Sequence, residues 1–103
     1  MNESITGWIW GRNLRAFLEL MSHYAGYAFD ETDWETIEAA VQNTDDEAPD
    51  GWYSYPLAGS SAVLQVALAQ AVGGEEMSVN VTGADTCELR LRADTLLSAF
   101  ASV

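Results

Sequence analysis

The chain has 103 residues, close to the commonest domain size of about 100 to 150 residues, so it has room for one hydrophobic core. Hydrophobic residues make up 49% of the chain and aromatic residues 11%, which argues against intrinsic disorder. Sixteen acidic residues face four arginines and no lysine, giving a formal charge of −12. This charge repels nucleic acid and anionic membranes. We predict a single domain over residues 1–103, with no nucleic-acid or membrane partner.

The sequence also predicts where the protein resides. Glu3 stands where a secretion signal would carry basic residues, and no stretch approaches the ~20 apolar residues that span a bilayer. The single cysteine, Cys87, cannot form an internal disulfide, whereas small secreted domains that rely on bridges carry two or more cysteines. A cytoplasmic location is therefore expected.

The first half of the chain has the apolar spacing of helices. One helical stripe is formed by Trp10, Leu14, Phe17, Leu18, Met21 and Ala25. It predicts a first helix from about Gly7 to Tyr24, although Gly7 and Gly11 weaken its first turn. Thr32 and Glu35 have the spacing of a capping box, which predicts a second helix over 33–42.

Trp10, Phe17 and Trp34 are the aromatic residues expected in the core. Residues 43–51 have nothing to bury and are predicted to form an exposed acidic loop.

From residue 52 the apolar period changes from 3.6 to 2, which predicts strands. Predicted strands cover 52–58, 61–72, 77–82 and 87–92, with turns at 58–60, 73–76 and 82–85. Pro56 indicates an edge position for the first of them. The alternative for 61–72 is a helix capped by Ser60 or Ser61. A short helix should begin at Asp94 or Thr95.

These elements define a fold class. The chain is predicted to be α+β, a two-layer sandwich with two N-terminal helices, a mostly antiparallel four-stranded meander and a short C-terminal helix. The polar alternation in the last two predicted strands indicates a sheet with one wet face, so the helices should cover the other face.

Catalytic residues are few. His23 could serve as a general base for Ser22 or Cys87, but its place at the end of a helix favours an interaction with the last helix carbonyls. Cys87 shares the apolar side of its predicted strand with Leu89 and Leu91, which favours a structural role. We therefore expect no catalytic site and no cofactor.

The sequence also argues against a metal site. One histidine and one cysteine cannot complete a zinc site, and the acidic clusters lack the EF-hand pattern. Arg90 and Arg92 share a face of the predicted last strand with Glu88. Two guanidinium groups there could hold an anion, or they could form cross-strand ion pairs. Arg90 and Arg92, together with His23, are the candidate ligand-binding residues.

Aromatic and acidic residues are concentrated in the first 55 positions. Nine acids and no base lie between residues 30 and 50. Aromatic anchors ringed by charge are typical of protein interfaces, although such residues can also simply complete a small core. The candidate partner-binding residues are Trp8, Asp45, Asp46, Glu47, Asp50, Trp52, Tyr53 and Tyr55.

The leading functional hypothesis is a non-catalytic binding protein that engages a partner with a basic surface. By charge and size alone it is comparable with small acidic inhibitors or immunity proteins that block basic toxins. One alternative is a homo-oligomeric accessory domain, for example a homodimer. Another alternative is a small-molecule-binding protein or enzyme with a pocket between helices and sheet.

Overall fold

The computed structural model describes residues 4–48, 50–57, 60–69, 76–83 and 87–101. In chain order the elements are strand β1 (Ile5–Trp10), a 3-10 turn (Gly11–Asn13), helices α1 (Leu14–Tyr24) and α2 (Glu31–Val41), strands β2 (Tyr53–Pro56), β3 (Val63–Leu68) and β4 (Glu76–Thr82), and helix α3 (Cys87–Ala99). All neighbouring strands are antiparallel, in the order β1-β4-β3-β2. The predicted α+β, two-layer fold class is confirmed.

Residues 5–10 form an edge strand, so the prediction that the first helix starts near Gly7 is wrong. Side chains alternate along β1, with Ile9 buried and Thr6 and Trp8 exposed. Gly7 lies against Leu97 of α3. Isoleucine, threonine and tryptophan favour a strand that is packed on one side, and glycine disfavours a helix. The α-helical part begins only at Leu14.

Residues 87–99 form one helix, so the predicted last strand over 87–92 is wrong. The buried side chains of α3 are Leu89, Ala93, Leu96 and Leu97, which share one helical face. Leu91 completes the period-2 pattern in the sequence, yet it is 66% exposed. The fourth strand of the sheet is therefore β1. The predicted burial of Cys87 concerns a side chain outside the described part of the structure.

The remaining elements follow the sequence closely. Helix α2 begins at Glu31 and is capped by Asp30 and Asp33, not by the predicted pair Thr32 and Glu35. β2 lies at the sheet edge, as Pro56 indicates. β3 confirms the strand interpretation of 61–72 over its described residues. The predicted turns at 58–60, 73–76 and 82–85 lie wholly or partly outside the described residues.

The hydrophobic core lies between the helices and one face of the sheet. Its fully buried side chains include Ile9, Leu18, Met21, Ile37, Leu57, Leu64, Val66, Val79 and Val81. The core prediction is confirmed for Phe17, which is fully buried. It is wrong for Trp10, which is half-buried on the other face of β1 with the Arg12 guanidinium 4.9 Å from its ring centroid. Trp34 is half-buried and packs against the edge of the core.

Candidate functional site

The sheet face that the helices do not cover is largely polar, and we call it the outer face. Its described side chains are Thr6, Trp8 and Trp10 from β1, Glu76, Ser78, Asn80 and Thr82 from β4, Val63, Gln65 and Ala67 from β3, and Ser54 and Pro56 from β2. Asn80 Nδ2 donates to Gln65 Oε1 at 3.1 Å, and Gln65 Nε2 donates to Ser54 Oγ at 3.5 Å. A row of amides and a hydroxyl thus crosses three strands.

Trp8 is the most prominent apolar group on this face. Its side chain is 54% exposed, more than that of any other described aromatic residue. The alternation of β1 directs it away from the core, because its neighbours in the chain, Gly7 and Ile9, face the helices. In the β1–β4 register it lies opposite Ser78. Trp8 therefore belongs to the sheet and not to the side of a helix.

The acidic loop, residues 43–51, is fixed to the sheet. The Leu68 amide donates to Thr44 Oγ1 at 2.9 Å, and the Asp46 amide donates to the Leu68 carbonyl at 3.1 Å. The loop therefore continues the edge of β3 beyond the start of β2. Thr44 is only 8% exposed, so the expectation that this loop buries nothing is wrong. Asp45 and Asp46 are half-buried, whereas Glu47 and Asp50 are exposed.

Asp46 connects the acidic loop to the surroundings of Trp8. The Ser78 hydroxyl donates to Asp46 Oδ2 at 2.8 Å, and Ser78 is the cross-strand partner of Trp8. Directly opposed residues have Cβ atoms roughly 5 Å apart. An acidic residue and an aromatic residue that the sequence singled out separately thus flank one hydroxyl group. The composition gave no reason to select Ser78 as a functional residue. The one feature that marks it in the sequence is its polar position in the alternating pattern of β4.

The other aromatic candidates lie elsewhere. Tyr53 and Tyr55 are half-buried on the inner side of β2 and pack against the core. Tyr55 Oη lies 3.3 Å from Ser22 Oγ, and its ring meets Phe29 edge-on at 6.2 Å. Burial raises the pKa of Tyr55. Trp52 is half-buried directly before β2. The structure thus relates Trp8 and Asp46 through Ser78, which neighbours both, and places Tyr53 and Tyr55 on the opposite face.

Tyr27 forms a hydrogen-bonded pair at the start of α2. Its hydroxyl donates to Asp33 Oδ2 at 2.8 Å, and the Asp30 amide donates to the same oxygen at 3.1 Å. The bond to the carboxylate favours the protonated phenol, and with burial it raises the pKa of Tyr27 from 10.0 to about 12. The hydroxyl therefore remains a donor at neutral pH and helps to hold the α1–α2 connection to the helix N-terminus.

The Tyr27–Asp33 bond predicts a specific loss of stability at high pH. The folded pKa is above the unfolded value, so this stabilisation is complete below pH 10.0 and is lost as the pH rises through about 12. Tyr27→Phe should show a shallower fall in urea midpoint between these two pH values than the unmodified protein. Tyr24→Phe, at an exposed position that Arg92 covers, is the control and should retain the steep fall. Equal pH slopes for all three proteins would contradict the assignment.

The candidate ligand-binding residues do not form one site. In a helix, residues two positions apart are separated by roughly 200°, so the predicted shared face of Arg90 and Arg92 is wrong. The Arg92 guanidinium lies 4.8 Å from the Tyr24 ring centroid, and His23 meets the same ring edge-on at 5.7 Å. Arg90 instead lines a surface cavity of about 530 Å³ with Ile5, Leu91 and Asp94.

Comparison of the chain with protein-family models, curated proteins and solved structures finds no match. Within the described residues, no three histidine, cysteine, aspartate or glutamate side chains are placed to hold a metal ion. None of the described helices has the length and apolar character needed to cross a bilayer.

Proposed function

We propose that the protein is a non-catalytic binding protein, resident in the cytoplasm, whose outer face engages a partner protein with a basic surface. The observation that carries this proposal is the hydrogen bond from Ser78 to Asp46. It attaches the acidic loop to the residue that lies opposite Trp8, the most exposed of the described aromatic side chains. The proposed contact surface comprises Trp8, the half-buried Asp46 and the exposed acids Glu47 and Asp50, with the buried Ser78 between Trp8 and Asp46.

The chemistry of this surface suits protein recognition. An exposed tryptophan offers a large rigid contact area, and tryptophan is enriched among the residues that contribute most to binding. Asp46 is fixed by its backbone bond to Leu68 and its side-chain bond to Ser78. A surface that is ordered before binding loses less conformational entropy when the complex forms. Trp8 would act as the anchor and the acidic loop as the orienting charge.

The charge distribution favours a basic partner. The formal charge is −12, and the arginines are engaged within the protein itself. Arg15 forms ion pairs with Glu19 and Glu31, and Arg12 lies over Trp10. A strongly acidic surface accelerates encounter with a positively charged protein, and salt weakens this effect. Binding should therefore be fast and salt-sensitive.

Two variants, each of which removes two negative charges, test the proposed contact surface. Asp46→Asn with Glu47→Gln removes two charges from the acidic loop and keeps an acceptor for Ser78. Glu35→Gln with Glu38→Gln removes two charges from exposed positions of α2. With a short peptide of mixed arginine and lysine as the probe, we expect the loop variant to weaken binding about tenfold, a loss of ~1.4 kcal/mol, and the α2 variant to weaken it much less.

Calorimetry at physiological ionic strength measures both affinities. Circular dichroism spectra should show that both variants are folded. Equal weakening in the two variants would mean that only net charge attracts the peptide, and it would contradict a site on the outer face.

A further inference from the structure

We infer that the partner residue received at Trp8 is an arginine, whose guanidinium stacks on the indole and lies near the acidic side chains around it. This inference rests on the proposed function, because it names the chemistry of the group that the outer face binds. Two observations support it: the way in which this chain pairs its own arginines, and the acids around Trp8.

The protein itself pairs arginine with aromatic rings. Arg12 lies 4.9 Å from the Trp10 ring centroid, and Arg92 lies 4.8 Å from that of Tyr24. Trp10 is the residue most comparable with Trp8, because the two lie on the same strand and on the same face, two positions apart. The Arg12–Trp10 pair thus shows that a guanidinium fits over an outer-face tryptophan of β1. Trp8 offers the same kind of ring with more of its surface open.

Acidic side chains lie around Trp8 on the outer face. Glu76 is opposite Trp10 in the β1–β4 register and therefore diagonal to Trp8, a separation that long side chains can span. Asp46 accepts from the hydroxyl of Ser78, which lies opposite Trp8. A cation that carries donors alone is suited to such surroundings.

Arginine fits these surroundings better than lysine. The guanidinium is planar, carries five donors and no acceptor, and is weakly hydrated, so it can stack and donate at the same time. The lysine ammonium is a compact and strongly hydrated charge. Tryptophan is also the best aromatic partner for a cation. The carboxylate of Asp46 and the open ring of Trp8 therefore predict discrimination between two residues of equal charge.

The test uses two peptides of equal length and charge, one with arginine and one with lysine at every basic position. At physiological salt we expect the arginine peptide to bind the unmodified protein about fivefold more tightly. Trp8→Leu should reduce this ratio to near one and retain weak, salt-sensitive binding. Trp10→Leu is the matched control, on the same strand and face, and should preserve the ratio. Calorimetry gives the affinities, and circular dichroism spectra show whether each variant is folded.

The outcomes separate this inference from the proposed function. Equal affinity of the two peptides for the unmodified protein would overturn the arginine assignment and leave the acidic binding surface intact. An arginine preference that survives Trp8→Leu would overturn the assignment to Trp8. Failure of both peptides to bind would overturn the proposed function itself.

Discussion

Replacement of Gly83 with alanine is expected to destabilise the protein by about 3 kcal/mol, from the combined cost of a left-handed backbone and a steric clash. Gly83 has φ +70°, a backbone conformation in which residues other than glycine are strained. A Cβ atom at this position would lie 2.5 Å from the Ser61 carbonyl oxygen. Because that oxygen belongs to the backbone and the Ser61 hydroxyl donates to the Gly83 carbonyl at 2.8 Å, neither segment can move without losing a contact.

Gly26→Ala is the matched control for this prediction. Gly26 has φ +88°, but an added Cβ would meet no atom within 4 Å. Gly26→Ala should therefore lose only the stability that the left-handed backbone costs, about 1 kcal/mol. Urea unfolding measures the difference as a shift in midpoint at constant slope. Equal losses in the two variants would show that the contact with Ser61 is not tight.

Replacement of Thr44 with valine should cost about 2 kcal/mol, because it leaves the part-buried Leu68 amide without its acceptor. The Thr44 hydroxyl donates to the Val41 carbonyl at 2.6 Å and accepts from the Leu68 amide at 2.9 Å. Valine has nearly the same shape but can do neither. The acidic loop should then separate from β3, and exchange of the Leu68 amide hydrogen should accelerate.

The control variants separate the lost hydroxyl from the changed shape. Thr44→Ser keeps the hydroxyl and should retain most of the stability and the slow exchange of Leu68. Thr36→Val removes an exposed hydroxyl that donates to Thr32 within α2 and should have little effect. Slow exchange of Leu68 in Thr44→Val would contradict the role assigned to the hydroxyl.

The sequence predicted the elements whose local signals agree. Helix α2 has acids at its start and helical spacing after them, so it was located within two residues. β4 has β-branched residues at alternate positions and was also found. In both elements, the residue propensities, the spacing of apolar residues and the residues at the ends indicate the same secondary structure. The tertiary contacts therefore agree with the local sequence.

The two errors in secondary-structure type arose where short apolar patterns fit both periods. Trp10 continues the helical spacing of Leu14 and Phe17, yet pairing with β4 makes residues 5–10 a strand. Leu89 and Leu91 alternate with charges, yet Leu89 faces the core from a helix and Leu91 faces solvent. Local pattern cannot decide between these states, because the deciding contacts come from distant residues.

The candidate site was only half predictable. Composition singled out Trp8 and Asp46 as members of a partner-binding set. Their meeting at Ser78 depends on the register of β1 against β4 and on the bond between the acidic loop and Leu68. A one-residue slip in that register would turn Trp8 towards the core. Such a relation exists only in three dimensions, so no local reading of the sequence could find it.

The pairing of β1 with β4 also has a consequence for folding. Trp10 pairs with Glu76 and Ile5 with Val81, so most of the chain separates the partners. During synthesis β1 emerges before its partner β4, which follows only after helices α1 and α2 and strands β2 and β3. Closing so long a loop loses chain entropy before the β1–β4 contacts can form and stabilise the fold, and this slows folding. The strand that carries Trp8 is thus made before the strand that pairs with it, so we expect the surface proposed for recognition to form only after β4 has been synthesised.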